Sequence, residues 1–327
     1  MYALTNESLP EQILFNTERP VVLVSAADGR FVMPMTVALH SALCNLDPGD
    51  PVIVYILADG ICDQDRAHSL AVLQRAHPRV AVRWLAPDIP DARTFPEKLW
   101  HSRATYLRLL VPSVLPDRIG RALYLDADTV VCRDLAPLWS VDMRGHSVMA
   151  VEGWGHATLG VAIPQLMHLV GAPADKPYFN SGVMLMDLHR WREQRIVERT
   201  LDFLQAHKDL IVWADQDPLN AVLAGEWGQL DLSYNVQIAT LHHPKGVNER
   251  DRERYLQAAS DPAILHYTWK RKPWHWRYSG PKNDAFLRAA IKSGWFAPLE
   301  GQTWQASRAL SHLAYRRAVS VKQLARA

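Results

Sequence analysis

The first half of the chain alternates between short apolar runs and segments with helical periodicity, and this alternation constrains the fold more than any other feature. Each apolar run spans four to eight residues, as strands buried on both faces do. Strands that alternate with helices form a parallel sheet covered by helices on both sides. We therefore predict an α/β fold whose first strands lie in RPVVLVSAAD (19–28), PVIVYILAD (51–59), RVAVRWL (79–85) and RALYLDADTVV (121–131).

The second half of the chain is more mixed. Apolar runs predict further strands in SVMAVEG (147–153), FNSGVMLMDL (179–188) and AILHYT (263–268). HRWREQRIVERTLDFLQAHK (189–208) predicts one long helix, and DQDPLNAVLAG (215–225) predicts a short one with a proline near its start.

Composition excludes several classes of protein. Apolar residues make up 48% of the 327 residues and charged residues 21%, which is typical of a globular chain. Three scattered cysteines without a CxxC pair rule out a disulfide framework and a zinc ribbon. A net charge of +2 argues against a nucleic-acid groove, and the N-terminal residues do not resemble a signal peptide. We therefore expect a cytoplasmic protein that binds no nucleic acid.

A change in composition near residue 300 separates a globular domain, 1–300, from a basic tail, 301–327. The tail carries five basic side chains and no acidic one. In residues 303–327, one face of a helical wheel is apolar, which predicts a basic amphipathic helix. This face comprises Leu310, Leu313, Ala314, Ala318, Val321 and Leu324. Such a helix would dock on an anionic membrane surface at the inner face of the membrane. A helix packed on the domain and a disordered tail are the alternatives.

Carboxylates follow the predicted strands at the sheet edge where ligands bind in α/β proteins. Asp126 and Asp128 directly follow the apolar run ALYL. On an extended chain, residues two apart face the same side, so both carboxylates can reach one hard cation. Two solvated turn acids remain the alternative. Asp63 and Asp65 have the same spacing, but they lie where a helix should begin and are expected to be first-turn acids.

His266 ends another apolar run and precedes a stretch of cations and aromatic residues, YTWKRKPWH (267–275). A histidine at a strand end beside cations suits a diphosphate bridged by a metal, while an ordinary core histidine is the alternative. The sequence contains no Walker A motif, no G-x-G-x-x-G and no G-x-S-x-G, so the common nucleotide and hydrolase signals are missing.

Six ordered segments span about residues 20–280. They are AADGRF (26–31), TYLRLL (105–110), YLDADTVV (124–131), FNSGVMLMDL (179–188), DQDPLN (215–220) and HYTWKRKPWH (266–275). Together, and in this order, they resemble the retaining glycosyltransferases of family 8, which include bacterial lipooligosaccharide galactosyl- and glucosyltransferases and glycogenin. The resemblance implies a GT-A type α/β domain with a mostly parallel central sheet covered by helices.

The resemblance also implies a role for individual residues. Metal ligands would be Asp126, Asp128 and His266, a donor set that suits Mn²⁺ better than Mg²⁺, although Mg²⁺ is an alternative. Gln216 would lie under the anomeric carbon, with Asp215 toward the sugar hydroxyls and Lys272 at the departing UDP. The nucleotide-sugar site would comprise Ala26, Ala27 and Asp28 at the uridine and Phe31 stacked on the uracil. Arg108 and Asn180 would reach toward the diphosphate and the donor sugar, and Ala127 and Lys272 would complete the site.

Two departures from the family pattern concern the donor side. Arg30 follows Gly29 where relatives often carry a small polar residue near the ribose. Trp269 and Lys270 occupy positions where the bacterial sugar transferases usually have Gly-Pro against the diphosphate. An indole there must turn outward or reshape the pocket.

The sequence therefore predicts a metal-dependent retaining transferase that moves glucose or galactose from a UDP-sugar to a saccharide or glycolipid hydroxyl. A sugar-nucleotide pyrophosphorylase is one alternative, but AADGRF is too short for its glycine-rich basic loop. A non-catalytic carbohydrate-binding protein on the same fold is the other alternative. Glu152 is a weaker candidate for an acceptor contact, and Trp154 and Trp276 are candidates for stacking on sugar.

Overall fold

A computed structural model describes residues 20–87, 103–155, 157–242, 249–268, 270–275, 278 and 280–296. The C-terminal tail, Trp269 and Trp276 lie outside the described residues. The domain boundary at residue 300 therefore stays a prediction.

The described residues form one seven-stranded sheet and one three-stranded sheet. The larger sheet has the order β3-β2-β1-β4-β7-β6-β8, and its pairs are parallel except β4–β7 and β7–β6. The predicted α/β fold with a mostly parallel sheet is thereby confirmed. Its strands are β1 (Val21–Asp28), β2 (Val52–Asp59), β3 (Val80–Leu85), β4 (Arg121–Leu125), β6 (Val148–Glu152), β7 (Phe179–Asp187) and β8 (Gly228–Gln229).

Helices cover both faces of this sheet in the described part of the chain. The longer helices are α1 (Val32–Leu43), α2 (Asp63–Ala76), α8 (Ile196–His207), α9 (Gln216–Leu223), α11 (Glu249–Ser260) and α12 (Asn283–Ser293). The shorter helices are α3 (Val111–Val114), α4 (Ala136–Trp139), α5 (Leu159–Ala162), α6 (Met167–Val170), α7 (Leu188–Glu193) and α10 (Ala239–His242). Turns of 3₁₀-helix lie at Arg103–Leu110, Pro164–Leu166 and Leu232–Asn235.

Alternate residues of the strands enter two separate apolar clusters. Val22 and Val24 of β1 pack on one face with Leu107, whereas Leu23 packs on the other face with Met35 of α1. Because side chains alternate across a strand, a continuous apolar run supplies both clusters at once.

The run RALYLDADTVV, predicted as one strand, is two strands joined by a turn. After β4 the chain turns at Asp126–Asp128, where the Thr129 backbone N–H donates to the Asp126 carbonyl at 3.2 Å. The smaller sheet then comprises β5 (Thr129–Val131), β10 (Ile264–His266) and β9 (Val236–Gln237), with β10 in the centre. A turn, not an extended chain, therefore brings the two carboxylates together.

One helical prediction was wrong in detail. The predicted long helix at 189–208 is divided between α7 and α8, because Arg195 adopts a left-handed backbone conformation with φ 51°. The segment RATYLRLL (103–110) forms 3₁₀-helix. Across the described ranges, no helix combines the length and the apolar character that crossing a membrane requires.

Candidate active site

Five elements converge at the edge where β4 ends. They contribute the Asp126–Asp128 turn, the start of β7, the end of β10, the first residues of α9 and the 3₁₀ segment around Arg108. The turn is tied to β7 because the Asp126 backbone N–H donates to the Gly182 carbonyl at 2.8 Å. It is tied to β10 by the pairing of His266 with Thr129.

Asp126, Asp128 and His266 form a compact cluster of candidate metal ligands. One ligand atom from each lies within 4.8 Å of the others. His266 Nε2 is 3.2 Å from Asp128 Oδ1 and 3.5 Å from Asp126 Oδ2. Two carboxylates and one imidazole on the same side suit a divalent cation that accepts oxygen and nitrogen ligands, as Mn²⁺ does. The residues present therefore fit the metal.

Gly182 allows this cluster to form. A Cβ at this position would lie 2.1 Å from His266 Cε1 and 2.7 Å from Asp126 Oδ2. Real side chains do not approach so closely, so any larger residue here would displace the histidine. The glycine of FNSG is therefore required by the close approach of the cluster to the β7 backbone.

Lys272 closes the open side of the cluster. Its Nζ donates to Asp128 Oδ2 at 2.5 Å and to the Tyr267 carbonyl at 2.6 Å. Burial by itself raises the pKa of Asp128, but Lys272 and His266 together lower it well below its usual range. Asp128 is thus held as a carboxylate, ready to bind a cation.

Arg108 is buried beneath the turn and joins two carboxylates. Its Nη2 lies 2.8 Å from Asp126 Oδ1, and its Nε lies 3.1 Å from Asp215 Oδ2. Nη1 donates to the Ser181 carbonyl at 2.9 Å, and the guanidinium stacks over the Tyr124 ring. Burial alone would lower the pKa of Arg108, but Asp126 and Asp215 raise it, so the guanidinium stays charged.

Asp215 is only 2% exposed. Burial raises its pKa to about 6, although Arg108 opposes this shift. Its Oδ2 also accepts from Ser181 Oγ at 2.9 Å. The predicted contact between Asp215 and sugar hydroxyls stays a prediction, as does the contact between Arg108 and the diphosphate.

Gln216 is held on both sides of its amide. Its Oε1 accepts from Asn180 Nδ2 at 2.9 Å and from the Ser181 backbone N–H at 3.1 Å. Its Nε2 donates to the Tyr178 hydroxyl at 3.0 Å, which in turn donates to Asp217 Oδ1 at 2.7 Å. The structure therefore fixes both the position and the orientation of the Gln216 amide.

The predicted uridine residues lie at the end of β1. Ala26 and Ala27 are buried. The Asp28 carboxylate accepts from the Phe31 backbone N–H at 3.2 Å and pairs with the Arg30 guanidinium at 2.9 Å. The Phe31 ring meets Trp274 edge to face, with 5.6 Å between centroids. The Arg30 guanidinium thus pairs with the carboxylate that was predicted to contact the nucleoside. The uridine contacts stay predictions.

Glu152 and Trp154 share a partner at the end of β6. The Tyr255 hydroxyl donates to Glu152 Oε1 at 3.0 Å, and the Trp154 ring meets the Tyr255 ring edge to face at 4.3 Å. Gln237, which pairs with His266, donates to the Glu152 carbonyl at 3.0 Å. The two candidate acceptor residues therefore lie on an element tied to the carboxylate–histidine cluster.

Sequence reasoning missed several polar residues of the site. Tyr124 donates to Asp126 Oδ1 at 3.1 Å, and Asn235 Oδ1 lies 2.9 Å from His266 Nδ1. Tyr178 and Ser181 flank Asn180, so the segment around FNSG could have indicated them. Asn235 lies in a segment without a distinctive motif. The sequence alone therefore does not distinguish it from an ordinary turn residue.

The fold and the site together define a GT-A type protein with a carboxylate–histidine cluster at its ligand edge. Comparison with known families identifies the family to which this protein belongs. The model for glycosyl transferase family 8 matches residues 22–277, and the chain belongs to this family. The resemblance on which the sequence reading depended is confirmed.

Individual relatives cover most of this chain. General stress protein A of Bacillus subtilis (strain 168) is 28% identical, with 84% of this chain and 94% of the relative covered. Lipopolysaccharide glucosyltransferase WaaO of Escherichia coli (strain K12) is 26% identical, with 82% and 77% covered. The crystal structure of galactosyltransferase LgtC in complex with donor and acceptor sugar analogs superposes with a TM-score of 0.70, at 25% identity over 83% of this chain and 96% of that one. The chain is therefore a glycosyltransferase of family 8, and relatives that are named as lipopolysaccharide transferases are among the proteins that it resembles.

Proposed function

We propose that this protein transfers glucose or galactose from a UDP-sugar to a hydroxyl of a saccharide or glycolipid acceptor, with retention of the anomeric configuration. The observation that carries the proposal is the cluster of Asp126, Asp128 and His266 beside a fixed Gln216 amide. Relatives named as lipopolysaccharide glucosyl- and galactosyltransferases support glucose and galactose as the two candidate sugars.

The candidate ligands Asp126, Asp128 and His266 would hold Mn²⁺. When bound, such an ion neutralises charge on a diphosphate leaving group. Among the described residues, Lys272 is placed to assist, because its ammonium lies 2.5 Å from Asp128 Oδ2. We expect Lys272 to donate to a diphosphate oxygen and thereby stabilise the charge that develops as the glycosidic bond of the donor breaks.

The hydrogen bonds of Gln216 favour front-face attack over a covalent intermediate. A carbonyl oxygen has two lone pairs, and both lone pairs of Gln216 Oε1 accept hydrogen bonds. An amide is in any case a far weaker nucleophile than the carboxylate of a retaining glycosidase. We infer that the acceptor hydroxyl attacks from the side that UDP leaves and gives its proton to a diphosphate oxygen. Gln216 would then orient the sugar.

A UDP-sugar panel tests the proposal. We expect UDP release from UDP-glucose or UDP-galactose in the presence of Mn²⁺, slow with water alone and faster with a saccharide acceptor. The matched controls are Asp128→Asn, which should lose turnover, and Asp63→Asn in the first turn of α2, which should keep it. Full turnover in excess EDTA would contradict the metal requirement. If UDP release by the parent chain is no faster than by Asp128→Asn for every donor in the panel, the result would favour a non-catalytic carbohydrate-binding protein.

The configuration of the product is measured separately. Proton NMR of early product should show an α-linkage from the α-configured donor. A β-linkage would reject retention without affecting the assignment of the metal ligands.

Membrane contact through the basic tail is the remaining part of the proposal. Its five basic side chains, Arg308, Arg316, Arg317, Lys322 and Arg326, are each worth ~1 kcal/mol near anionic lipid. Deleting residues 303–327 should reduce flotation with anionic vesicles and leave UDP-sugar hydrolysis intact. Equal flotation of the truncated and full chains would reject the tail as an anchor, and with it a peripheral position on the inner face of the membrane.

A further inference from the structure

Asn235 lies behind the candidate metal ligands, where it contacts two residues of the site. It is fully buried at the end of the 3₁₀ turn Leu232–Asn235, directly before β9. Its Oδ1 is 2.9 Å from His266 Nδ1, and its Nδ2 is 2.9 Å from Asn180 Oδ1. Both ends of the amide are therefore in hydrogen-bond contact with the site.

Backbone groups determine the direction of these hydrogen bonds. The Gly182 N–H donates to Asn180 Oδ1 at 3.0 Å, so this atom of Asn180 must be the oxygen. The Ser181 N–H donates to Gln216 Oε1 in the same way, which leaves Asn180 Nδ2 as the donor to Gln216. A backbone N–H cannot accept a hydrogen bond, so neither amide can be flipped without losing a contact.

The orientation of the Asn180 amide determines that of the Asn235 amide, which in turn determines which nitrogen of His266 carries the proton. Because Asn180 presents its oxygen, Asn235 must present its NH₂ group there and its carbonyl oxygen to His266. A carbonyl oxygen only accepts, so the proton of the neutral imidazole belongs on Nδ1. The lone pair is then on Nε2, which faces Asp126 and Asp128.

We propose that Asn235 is a positioning residue, which holds His266 in the tautomer and ring orientation that presents Nε2 to a divalent cation. Through Asn180 the same amide connects the metal ligand to Gln216, so the two halves of the site share one chain of hydrogen bonds. The metal-binding part of this inference rests on the proposed function. The tautomer part does not.

The backbone around Asn235 is anchored well enough for this role. Asp231 caps the turn by accepting from the Ser233 N–H at 2.9 Å. The Ser233 carbonyl accepts from the Ala263 N–H at 2.9 Å, which joins the turn to the strand that carries His266. Parallel pairing of β9 with β10 then fixes the spacing between Asn235 and His266. Partners of this kind commonly change metal affinity by about 10- to 100-fold when they are removed.

The tautomer can be measured on the unmodified, metal-free chain. Long-range ¹H–¹⁵N NMR of the histidine side chains at pH 8, with His266→Gln used for assignment, should show a proton on Nδ1 of His266. A ring with a bare Nδ1 would overturn the inference. This measurement needs neither activity nor bound metal.

Variants of Asn235 test the effect on the metal. Binding of Mn²⁺, followed by electron paramagnetic resonance, should weaken about 10- to 100-fold in Asn235→Leu. Asn235→Asp retains an acceptor for the Nδ1 proton and should bind Mn²⁺ more tightly than Asn235→Leu. Thr240→Val is the matched control, because this buried hydroxyl, in α10 just after β9, has no hydrogen-bond partner among the described residues.

The outcomes separate this inference from the proposed function. Mn²⁺ affinity of Asn235→Leu within twofold of the parent chain would overturn the role of Asn235. If Asn235→Leu does not fold, the NMR measurement on the parent chain decides, and a bare Nδ1 of His266 would do the same. If the parent chain itself binds no Mn²⁺, the proposed function fails, and the role of Asn235 is decided by the tautomer.

Discussion

Two Asp-x-Asp segments meet at this site, and they have opposite electrostatic environments. Asp126 and Asp128 lie in the turn after β4, where Lys272 and His266 face them. Asp215 and Asp217 lie at the start of α9 and are almost completely buried. Arg108 connects the two segments, because it bonds to Asp126 and to Asp215.

One carboxyl in each segment has a shifted pKa, and the two shifts are in opposite directions. Lys272 and His266 outweigh burial at Asp128, so the pKa of that carboxyl is lowered. Burial outweighs Arg108 at Asp215, so the pKa of that carboxyl is raised to about 6. The same spacing of the same residues therefore gives a candidate cation-binding turn in one place and a pair of buried carboxyls in the other.

The second segment acts through its neighbours. Asp217 accepts from the backbone N–H groups of Val212 and Trp213 at 2.7 and 2.8 Å and from the Tyr178 hydroxyl. These hydrogen bonds hold the loop that precedes α9. They also orient the Tyr178 hydroxyl, which accepts a hydrogen bond from Gln216. An Asp-x-Asp pattern alone consequently does not identify a metal site.

Asp128→Asn should have the largest effect, because it removes a ligand from the cation-binding turn. We expect turnover with UDP-sugar and Mn²⁺ to fall about 100- to 1000-fold, the loss typical of removing one charge-stabilising group. Steady-state kinetics at saturating donor measures it. The control is Asp65→Asn, in the first turn of α2, which should change turnover less than twofold. Retention of more than a tenth of the activity would contradict the ligand role.

Arg108→Met tests the link between the two segments. Removing one partner of a buried ion pair leaves charge uncompensated and costs about 3–5 kcal/mol. Urea unfolding should show that the free energy of unfolding falls by about 3 kcal/mol, the lower end of this range, because Asp215 can take up a proton. Arg30→Met is the control, since that guanidinium is 75% exposed beside Asp28 and its pair contributes less than about 1 kcal/mol. Similar losses in the two variants would mean that Arg108 does not join the segments.

The raised pKa of Asp215 predicts a specific dependence of stability on pH. A carboxyl with its pKa raised from 3.8 to about 6 binds its proton more tightly in the folded state than in the unfolded state. This group's contribution to stability therefore falls as pH rises from about 4 to 7. Asp215→Asn does not titrate, so its unfolding free energy relative to the parent should rise by about 2 kcal/mol over that range. A difference that stays constant with pH would contradict the raised pKa of Asp215.

Tyr178→Phe should have the smallest effect of the four. It removes the hydroxyl that accepts from Gln216 and donates to Asp217. We expect kcat to fall about tenfold, equivalent to roughly 1.4 kcal/mol, with little change in Mn²⁺ affinity. The control is Tyr278→Phe, whose hydroxyl donates a long 3.3 Å bond to the Pro281 carbonyl. A loss of Mn²⁺ affinity equal to the loss in kcat would show that the two segments do not act separately.

Local pattern was sufficient for much of the fold. Continuous apolar runs identified β1, β2 and β3, since strands buried on both faces need apolar residues at every position. The acids at Asp63 and Asp65 were correctly interpreted as first-turn residues of α2. The grouping of Asp126, Asp128 and His266 also followed from their places at strand ends, together with the family resemblance.

Other features depended on contacts between distant segments. The break at Arg195 and the turn that separates β4 from β5 are not marked by glycine or proline, so neither was visible in the pattern. The antiparallel position of β7 between β4 and β6 is a property of the assembled sheet.

By itself, then, the sequence determined the order of the main strands, the family and the candidate metal ligands, because these depend on residue type and local spacing. Only the tertiary structure decided that Asp215 is buried against Arg108, that Lys272 pairs with Asp128 and that Asn235 faces His266. Each of these depends on burial and on hydrogen bonds between segments that are far apart in the chain. Burial and partner identity set the charge state and direction of a polar group, and neither is encoded in its immediate neighbours.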